Sequence, residues 1–326
     1  MRWTLPSFVV GANLPWLNYG GDFGANAWQP GGGVAQPSSR ARLRHVLGEA
    51  ASSGAALMRW FMLCDGRSGL VQDAAGRPQG LDPRVFADAD AAVEELDRAG
   101  LRAIFVLVDF HWFRRSRVIN GVQIGGRGCW LADAGLRLRT FERIVAPLLD
   151  RYGRASAVAA WDIINEPEWV TRQGGPASWM LPVLDGRVAG AGVSRAAMRA
   201  FIGEACALVH QRTTQAVTVG SASAAGLPLV QGLGLDVYQV HWYDRHDLRL
   251  PLDRPVTELG LDRPVLLGEF PTRGCARTPA EIMATAARAG YAGALGWAVT
   301  LDDEVSDRAA LGRGMACSVE GRQEPT

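Results

Sequence analysis

The sequence predicts an α/β protein, a single (β/α)8 TIM barrel with elaborated loops at the C-terminal face of its strands. Eight short apolar runs alternate with amphipathic helical patterns, as expected for repeated β/α units around a parallel sheet. The length of 326 residues suits one such barrel. Neither GxGxxG nor GxxxxGK[ST] opens a predicted helix, which counts against a nucleotide site. We therefore expect one domain over residues 1–326, with its core at about residues 8–305.

The first half of the chain contains the best-defined helix. Asp82 is its expected N-cap, Pro83 its first helical residue and Gly100 its end. Ser38 or Ser39 can cap an earlier helix, which follows a loop, residues 13–37, that is rich in Gly, Asn and Trp and should lie over the site. The strands predicted in this half are residues 8–12, 55–61 and 102–110.

The second half continues the same alternation. A helix over residues 138–152 should be kinked by Pro147, and another is expected over residues 194–213. Thr278 and Glu281 form a capping box for a helix that ends at Gly290. The chain after Asp307 is expected to be a short helix or coil. The predicted strands are residues 157–165, 216–220, 237–240, 265–267 and 292–298.

Composition indicates a folded soluble protein, with 48% hydrophobic and 21% charged residues. The net charge of +1 gives no electrostatic reason to expect nucleic acid or an anionic membrane as a partner. Five cysteines without CxxC spacing predict buried free thiols, and neither HExxH nor EF-hand spacing suggests a metal site. We expect a monomer without cofactor or metal. The absence of a visible signal peptide or membrane span favours the cytoplasm, or secretion if a signal was removed.

Two glutamates follow predicted strands at positions where a barrel gathers its catalytic groups. Glu166 ends the fourth strand and Glu269 ends the seventh. Glycoside hydrolysis needs such a pair, one carboxyl group to protonate the leaving oxygen and one carboxylate to attack or stabilise the anomeric carbon. Each glutamate alone could equally form a structural ion pair at the barrel rim. Eleven tryptophans against five tyrosines add flat aromatic faces that suit sugar rings.

Three motifs lie at the ends of predicted strands, namely WDIINEP at residues 161–167, QVHWY at 239–243 and LLGEF at 266–270. They resemble motifs of the clan A glycoside hydrolases, most closely the family 5 cellulase and mannanase group, and the resemblance spans about residues 8–302. Asn-Glu-Pro after an apolar strand is the specific part. The resemblance implies that Glu166 is the acid/base and Glu269 the nucleophile of a retaining mechanism.

The same resemblance implies roles for side chains around this pair. Arg59 and Tyr243 would contact Glu269 and keep it ionised by lowering its pKa. Asn165 would bind the sugar 2-hydroxyl next to the scissile bond, and Trp297 would form the floor of the adjacent sugar subsite. Arg59 could instead form a structural ion pair, and His241, also a candidate for substrate binding, could be a packing histidine.

The third strand departs from the family pattern. Family 5 members usually carry a His and an Asn in this region, whereas the strand here ends in Asp109, Phe110, His111 and Trp112. His111 and Trp112 are candidates for substrate binding, and Asp109 is a candidate acceptor for a sugar hydroxyl. Trp169 is a further binding candidate. About half of the tryptophans in the strand-end loops are expected to stack on sugar and the rest to pack those loops, namely Trp16, Trp28, Trp112, Trp130, Trp169, Trp179 and Trp242.

The sequence therefore predicts a retaining glycoside hydrolase that cleaves β-mannosidic or β-glucosidic linkages in oligo- or polysaccharides by double displacement. Two alternatives stay open: a transglycosidase that uses the same covalent intermediate, and a carbohydrate-binding barrel that has lost catalysis. The choice between mannose and glucose, and between endo and exo action, depends on how the loops are placed.

Overall fold

The computed structural model describes residues 2–3, 8–172, 192–244, 247 and 251–320. Eight parallel strands close into a barrel, each paired with its neighbours in chain order and the last paired with the first. The predicted (β/α)8 barrel and all eight predicted strands are thus confirmed. The strands are β1 (Val9–Leu14), β2 (Leu57–Phe61), β3 (Arg102–Asp109), β4 (Val158–Asn165), β5 (Ala216–Ser221), β6 (Tyr238–His241), β7 (Val265–Pro271) and β8 (Gly293–Trp297).

Helices surround the barrel unevenly. In the described parts of the connections from β5 to β6 and from β6 to β7, only short helical segments occur, Leu227–Val230 and Val256–Leu259 among them. No helix of the described chain is long and apolar enough to cross a membrane. The longer helices are α1 (Pro37–Ser52), α2 (Arg84–Ala99), α3 (Ala134–Thr140), α4 (Ala146–Tyr152), α5 (Arg195–Arg212), α6 (Pro279–Ala289) and α7 (Arg308–Glu320).

Short elements decorate the loops. Two antiparallel hairpins, Leu70–Gln72 with Pro78–Leu81 and Arg117–Ile119 with Val122–Ile124, lie in the connections after β2 and β3. A short parallel pair follows β4. The remaining segments are the strands Thr171–Arg172 and Val193–Ser194, the helix Gly128–Ala132, and the 3-10 turns Phe110–Phe113, Pro167–Val170 and Ala224–Gly226.

Helix ends follow the local chemistry with small shifts from the prediction. Helix α2 starts at Arg84, one residue later than expected, because Pro83 is its N-cap. The Asp82 carboxylate still accepts a hydrogen bond from the Arg84 N–H at 3.0 Å. The capping box of Thr278 and Glu281 at α6 is present as predicted.

The distortion expected at Pro147 lies one turn earlier. A π turn, Phe141–Val145, separates α3 from α4. Proline cannot donate the hydrogen bond that would continue a regular α-helix, and a π turn accommodates the interruption. The tail after Asp307, expected as a short helix or coil, forms α7.

The cysteines only partly match the prediction. All five are free, and Cys64 and Cys206 are buried as expected. Cys129 and Cys317 are exposed and Cys275 is partly exposed, so the prediction of buried thiols is wrong for these three.

Residues inside the barrel change from apolar to polar towards the C-terminal ends of the strands. Side chains on a strand alternate between its two faces, so residues two apart share the inner face. A buried apolar cluster that includes Leu57, Ala160 and Val237 fills the part of the barrel that is farther from the C-terminal ends of the strands. The residues two positions further along these strands, Arg59, Asp162 and Gln239, are fully buried and polar. The barrel interior thus supports a polar site at its C-terminal mouth.

Candidate active site

The two predicted glutamates meet at the barrel mouth, with His241 between them. His241 Nδ1 lies 2.8 Å from Glu166 Oε1 and 3.5 Å from Glu269 Oε2. A shift in the strand register between Val240 and His241 pairs His241 with Glu269 across β6 and β7. One oxygen of each glutamate and a His241 ring nitrogen lie within 4.8 Å of one another. Residues at the ends of three strands therefore form one compact cluster.

Arg59 on β2 is the cation of the site. Its Nη1 donates to Glu269 Oε1 at 2.6 Å and its Nη2 donates to Asn165 Oδ1 at 2.7 Å. Its Nε donates to Asp162 Oδ2 at 3.0 Å. Because the Arg59 side chain is completely buried, the prediction that it binds substrate is wrong in the sense of direct contact. Arg59 instead holds Glu269 and Asn165 in place. It also pairs with Asp162, which is the structural ion pair considered as the alternative role of Arg59.

A polar layer beneath the glutamates was missed from the sequence. Asp162 accepts hydrogen bonds from Gln239 Nε2 at 2.8 Å and from the Gly220 N–H at 3.1 Å, so it faces Arg59 in a fixed orientation. Asn13 accepts from Arg59 Nη1 at 3.2 Å and donates to the Gly268 carbonyl at 2.8 Å. The sequence does contain an indication of this layer. Polar residues occur at inward positions of strands that are predicted to be buried, and such residues need polar partners.

Gly220 leaves room for the Arg59 guanidinium. A Cβ atom at position 220 would lie 2.6 Å from Arg59 Nη2 and 2.9 Å from His241 Nε2. We expect Gly220→Ala to move Arg59 away from Glu269, with loss of kcat by about 10²-fold and of about 1–3 kcal/mol in unfolding free energy. Enzyme kinetics and denaturant unfolding measure both quantities.

A matched control for this substitution lies on α5. A Cβ atom at Gly203 meets only Leu233 Cδ2, at 3.8 Å. Gly203→Ala should therefore leave kcat unchanged. Equal kinetics of Gly220→Ala and Gly203→Ala would show that the space at Gly220 has no bearing on the site.

Glu166 occupies a constrained position directly after β4. Its backbone is left-handed, with φ 46° and ψ 55°, which is uncommon for a residue other than glycine. Its N–H donates to the Gly220 carbonyl at 2.7 Å. Oε2 accepts from Trp169 Nε1 at 2.8 Å, while Oε1 contacts His241. These contacts fix both oxygens of the carboxyl group at the mouth.

Burial dominates the ionisation of the cluster. It raises the pKa of Glu166 to about 7, against the opposing hydrogen bond from Trp169. It lowers the pKa of His241 to about 4, so this imidazole is neutral at neutral pH. Burial also raises the pKa of Glu269, although His241, Arg59 and the Tyr243 hydroxyl act in the opposite direction. Arg59 and Tyr243 thus contact Glu269 and lower its pKa as expected, but burial outweighs them and the net shift is upward.

The raised pKa of Glu166 predicts the alkaline limit of activity. A general acid must be protonated, and a pKa of about 7 keeps Glu166 protonated up to about pH 7. We expect kcat/KM on a substrate with a poor leaving group to fall about tenfold per pH unit above that value. Stopped assays from pH 4 to 10, with buffers matched in ionic strength, measure this alkaline limb of the pH profile of kcat/KM. A flat profile from about pH 7 to 9 would contradict the assignment of Glu166 as acid.

Three of the other predicted side chains, those of Tyr243, Asn165 and Trp169, contact one of the two glutamates or Arg59. The Tyr243 hydroxyl donates to Glu269 Oε2 at 3.0 Å. Asn165 adjoins Arg59, and Trp169 donates to Glu166. Trp297 ends β8, half-buried, with its ring edge-on to Trp16 at 6.1 Å between centroids. His111 follows β3 with 28% of its side chain exposed, and its Nδ1 contacts Asp109 Oδ1.

Trp112 does not join them. Its side chain is 1% exposed, and Nε1 donates to the Cys64 carbonyl at 2.9 Å. Its ring packs edge-on against Trp130. The prediction that Trp112 binds substrate is therefore wrong, because both neighbours belong to the loop packing and leave no open face.

The remaining loop tryptophans also divide by burial. Trp130 and Trp242 are buried, whereas Trp16, Trp28 and Trp169 are half-buried. Trp179 lies outside the described residues.

The cluster of Glu166, His241 and Glu269 also has the spacing of a possible metal site. However, the Arg59 guanidinium lies 2.6 Å from Glu269 Oε1 and already supplies a positive charge there. A second cation at the same carboxylate would be repelled by Arg59. The arrangement thus favours acid/base and nucleophilic chemistry by the two carboxyl groups.

The chain is similar to known proteins in sequence and in fold. No family model matches the chain. The mannan endo-1,4-beta-mannosidase of Mytilus edulis is 25% identical over 326 residues, covering 90% of this chain and 84% of that protein.

Two solved structures share the fold. The endo-1,4-beta-mannanase of Eisenia fetida has a TM-score of 0.78 at 21% identity, covering 95% of this chain and 90% of its own. The beta-mannanase of Mytilus edulis has a TM-score of 0.77 at 22% identity, covering 97% and 92%.

Proposed function

We propose that this chain, a family 5-like glycoside hydrolase of clan A, hydrolyses β-1,4-mannosidic linkages within mannan and retains the anomeric configuration. The observation that carries the proposal is the pair Glu166 and Glu269, which share one barrel mouth and one histidine contact in different surroundings. Similarity to a mannan endo-1,4-beta-mannosidase over 90% of the chain supports the choice of mannan and of internal cleavage.

Glu269 has the surroundings of a nucleophile. Arg59 and Tyr243 each bind one of its oxygens, at 2.6 Å and 3.0 Å, which orients the carboxylate and stabilises it when it leaves the sugar again. In the first step an oxygen of Glu269 attacks the anomeric carbon and forms a glycosyl ester. The bond to the leaving oxygen breaks at the same time.

Glu166 has the surroundings of an acid that later acts as a base. Its pKa of about 7 allows it to donate a proton to the leaving oxygen at neutral pH. Once Glu269 is esterified, its negative charge is lost, and the pKa of Glu166 falls because the two carboxylates no longer repel each other. Glu166 can then accept a proton from the water that cleaves the ester, which restores both groups.

The close approach of the two carboxyl groups supports retention. Inverting enzymes separate their carboxyl groups by roughly 6.5–9.5 Å to admit a water, whereas retaining enzymes need about 5–5.5 Å. One oxygen of Glu166 lies within 4.8 Å of one oxygen of Glu269, and this oxygen-to-oxygen limit supports the shorter spacing. The complete pair also argues against a binding barrel that has lost catalysis. The expected monomeric state, the cytoplasmic location and the absence of nucleic-acid partners stay predictions.

The substrate is tested with a panel of polymers matched in linkage. Initial rates are compared on linear β-1,4-mannan, β-1,4-glucan and β-1,4-xylan, together with manno-oligosaccharides of increasing length. We expect a rapid fall in mannan viscosity, with short manno-oligosaccharides as products. Cleavage of glucan alone, or release of only mannose from chain ends, would contradict the proposed substrate or the internal cleavage.

A further inference from the structure

Asp109 ends β3 and turns its buried carboxylate towards the mouth of the barrel. Its Oδ2 accepts from Asn165 Nδ2 at 2.9 Å. Its Oδ1 accepts from the His111 N–H at 2.8 Å and also contacts His111 Nδ1. Both oxygens are therefore held by protein groups. A carboxylate oxygen can accept more than one hydrogen bond, so the expectation that Asp109 also accepts a sugar hydroxyl stays a prediction.

The amide of Asn165 is held from both sides. Arg59 has only donors and faces Oδ1 of Asn165, whereas the Asp109 carboxylate has only acceptors and faces Nδ2. A rotation of the amide by 180° would place donor against donor and acceptor against acceptor. Asp109 and Arg59 together therefore fix one orientation, which leaves the second Nδ2 hydrogen free to donate to a ligand.

His111 and Arg114 complete the support of Asp109. Arg114 Nη1 lies 3.3 Å from His111 Nε2, and an arginine can only donate, so Nε2 is the acceptor. In a neutral imidazole the hydrogen then resides on Nδ1, which faces Asp109 Oδ1. The Arg114 guanidinium also stacks over the Phe110 ring at 4.6 Å. The carboxylate is thus held by a chain of contacts that starts at the rim of the site.

We propose that Asp109 is a positioning residue for the acid/base half of the site. It aims the Asn165 amide at the hydroxyl next to the scissile bond, and it places a fixed negative charge beside Glu166. This inference rests on the proposed function, because the hydroxyl belongs to the β-mannoside that the site is proposed to bind.

The charge of Asp109 has a measurable consequence. After burial and the opposing Trp169 hydrogen bond, the carboxylate of Asp109 raises the pKa of Glu166, while Arg59 and His111 lower it. The substitution of Asp109 leaves the other side chains that interact with Glu166 chemically unchanged, namely His241, Glu269, Tyr243, Glu168, Arg114 and Asp247. Loss of the Asp109 charge should therefore lower the pKa of Glu166.

Asp109→Asn is the informative substitution, since it keeps the shape and removes the charge. We expect the alkaline limb of kcat/KM to move down by about 0.5–1 pH unit. Asp88→Asn is the matched control, because Asp88 is similarly buried but binds the Gly24 and Ala35 backbone N–H groups away from the site. The alkaline limb of kcat/KM of Asp88→Asn should lie at the same pH as that of the wild type.

A second measurement tests whether Asp109 orients the Asn165 amide towards the sugar hydroxyl. Asp109→Ala should reduce kcat on an aryl β-mannoside at least about tenfold, with a much smaller effect on the matched 2-deoxy glycoside. A merely structural role would reduce both rates equally. Equal losses on the two substrates, or an unmoved alkaline limb in Asp109→Asn, would overturn the proposal.

The proposed function can fail separately from this inference. If the folded wild type cleaves no β-mannoside, the proposed substrate is wrong. The pKa of Glu166 is then read without substrate, from a carbon-13 NMR titration of the labelled Glu side chains, with Glu166→Gln to assign the signal. A lower pKa of Glu166 in Asp109→Asn, but not in Asp88→Asn, supports the positioning role, and an unchanged pKa overturns it.

Discussion

Glu269→Gln is expected to lose at least about 10⁴-fold in kcat on mannan and on aryl β-mannosides while the protein stays folded. The amide keeps the size of the side chain, and its oxygen can still accept from Arg59 or Tyr243. It cannot form the glycosyl ester. Glutamine is preferable to alanine here, because alanine would leave the buried Arg59 with Asp162 as its only carboxylate partner among the described residues.

The loss must be separated from unfolding and from contaminating enzyme. Circular dichroism and thermal unfolding show whether Glu269→Gln is folded. Glu94→Gln is a suitable control, since Glu94 is an exposed residue of α2 that pairs with Arg40. Its kcat should equal that of the wild type. A kcat of Glu269→Gln within about tenfold of the wild type would place the nucleophile elsewhere.

Glu166→Ala is expected to respond to the leaving group and to azide. Without the acid, hydrolysis of mannan should fall by about 10³-fold or more, since proton donation by a positioned acid contributes up to about 10⁴-fold. An activated aryl β-mannoside needs little acid assistance, so its glycosyl-enzyme still forms. Azide can then enter the space left by the carboxyl group and attack the intermediate without a base, which restores turnover.

The product identifies the step that azide rescues. A β-mannosyl azide is expected, because a second displacement at the anomeric carbon restores the original configuration. Azide should have no such effect on the wild type or on Glu94→Gln. A lack of rescue, with the variant shown to be folded, would contradict the role of Glu166 as acid/base.

The sequence was informative where local pattern and chemistry coincide. Eight apolar runs separated by helical patterns suffice to predict a closed barrel, and the ends of its strands must then meet at one face. Glu166 and Glu269 could be paired for this reason, although they lie 103 positions apart in the printed sequence. The capping box at Thr278 depends on four neighbouring residues only, and it too was predictable.

Contacts that depend on loop packing or burial depth could not be predicted. Trp112 and Trp169 both follow strands, yet one packs inside a loop and the other reaches Glu166. The sign of the pKa shift of Glu269 depends on whether burial outweighs Arg59, and burial depth is set by the folded site. The roles of Asp162 and Asn13 follow from strand register, which a single sequence does not determine to the residue.

Glu168 shows why a carboxylate near the motif is not sufficient. It lies two residues after Glu166 and is also buried, which raises its pKa to about 7. Its Oε2 accepts from the Ala222 N–H at 3.1 Å, so it is bound to the backbone just after β5. Of these two glutamates, Glu166 contacts His241 and Glu168 does not. This contact distinguishes Glu166 as the candidate for catalysis.

The most direct measurement is to trap the covalent intermediate with 2-deoxy-2-fluoro-β-mannosyl fluoride and to map the label by peptide mass spectrometry. The fluorine slows both steps and the fluoride leaving group favours the first, so the glycosyl ester should accumulate. Retention through Glu269 predicts one added sugar per chain, on the peptide that contains Glu269, with activity lost in step with labelling. A label on another residue would contradict this assignment, and an unlabelled active enzyme that releases the α-anomer first would contradict retention itself.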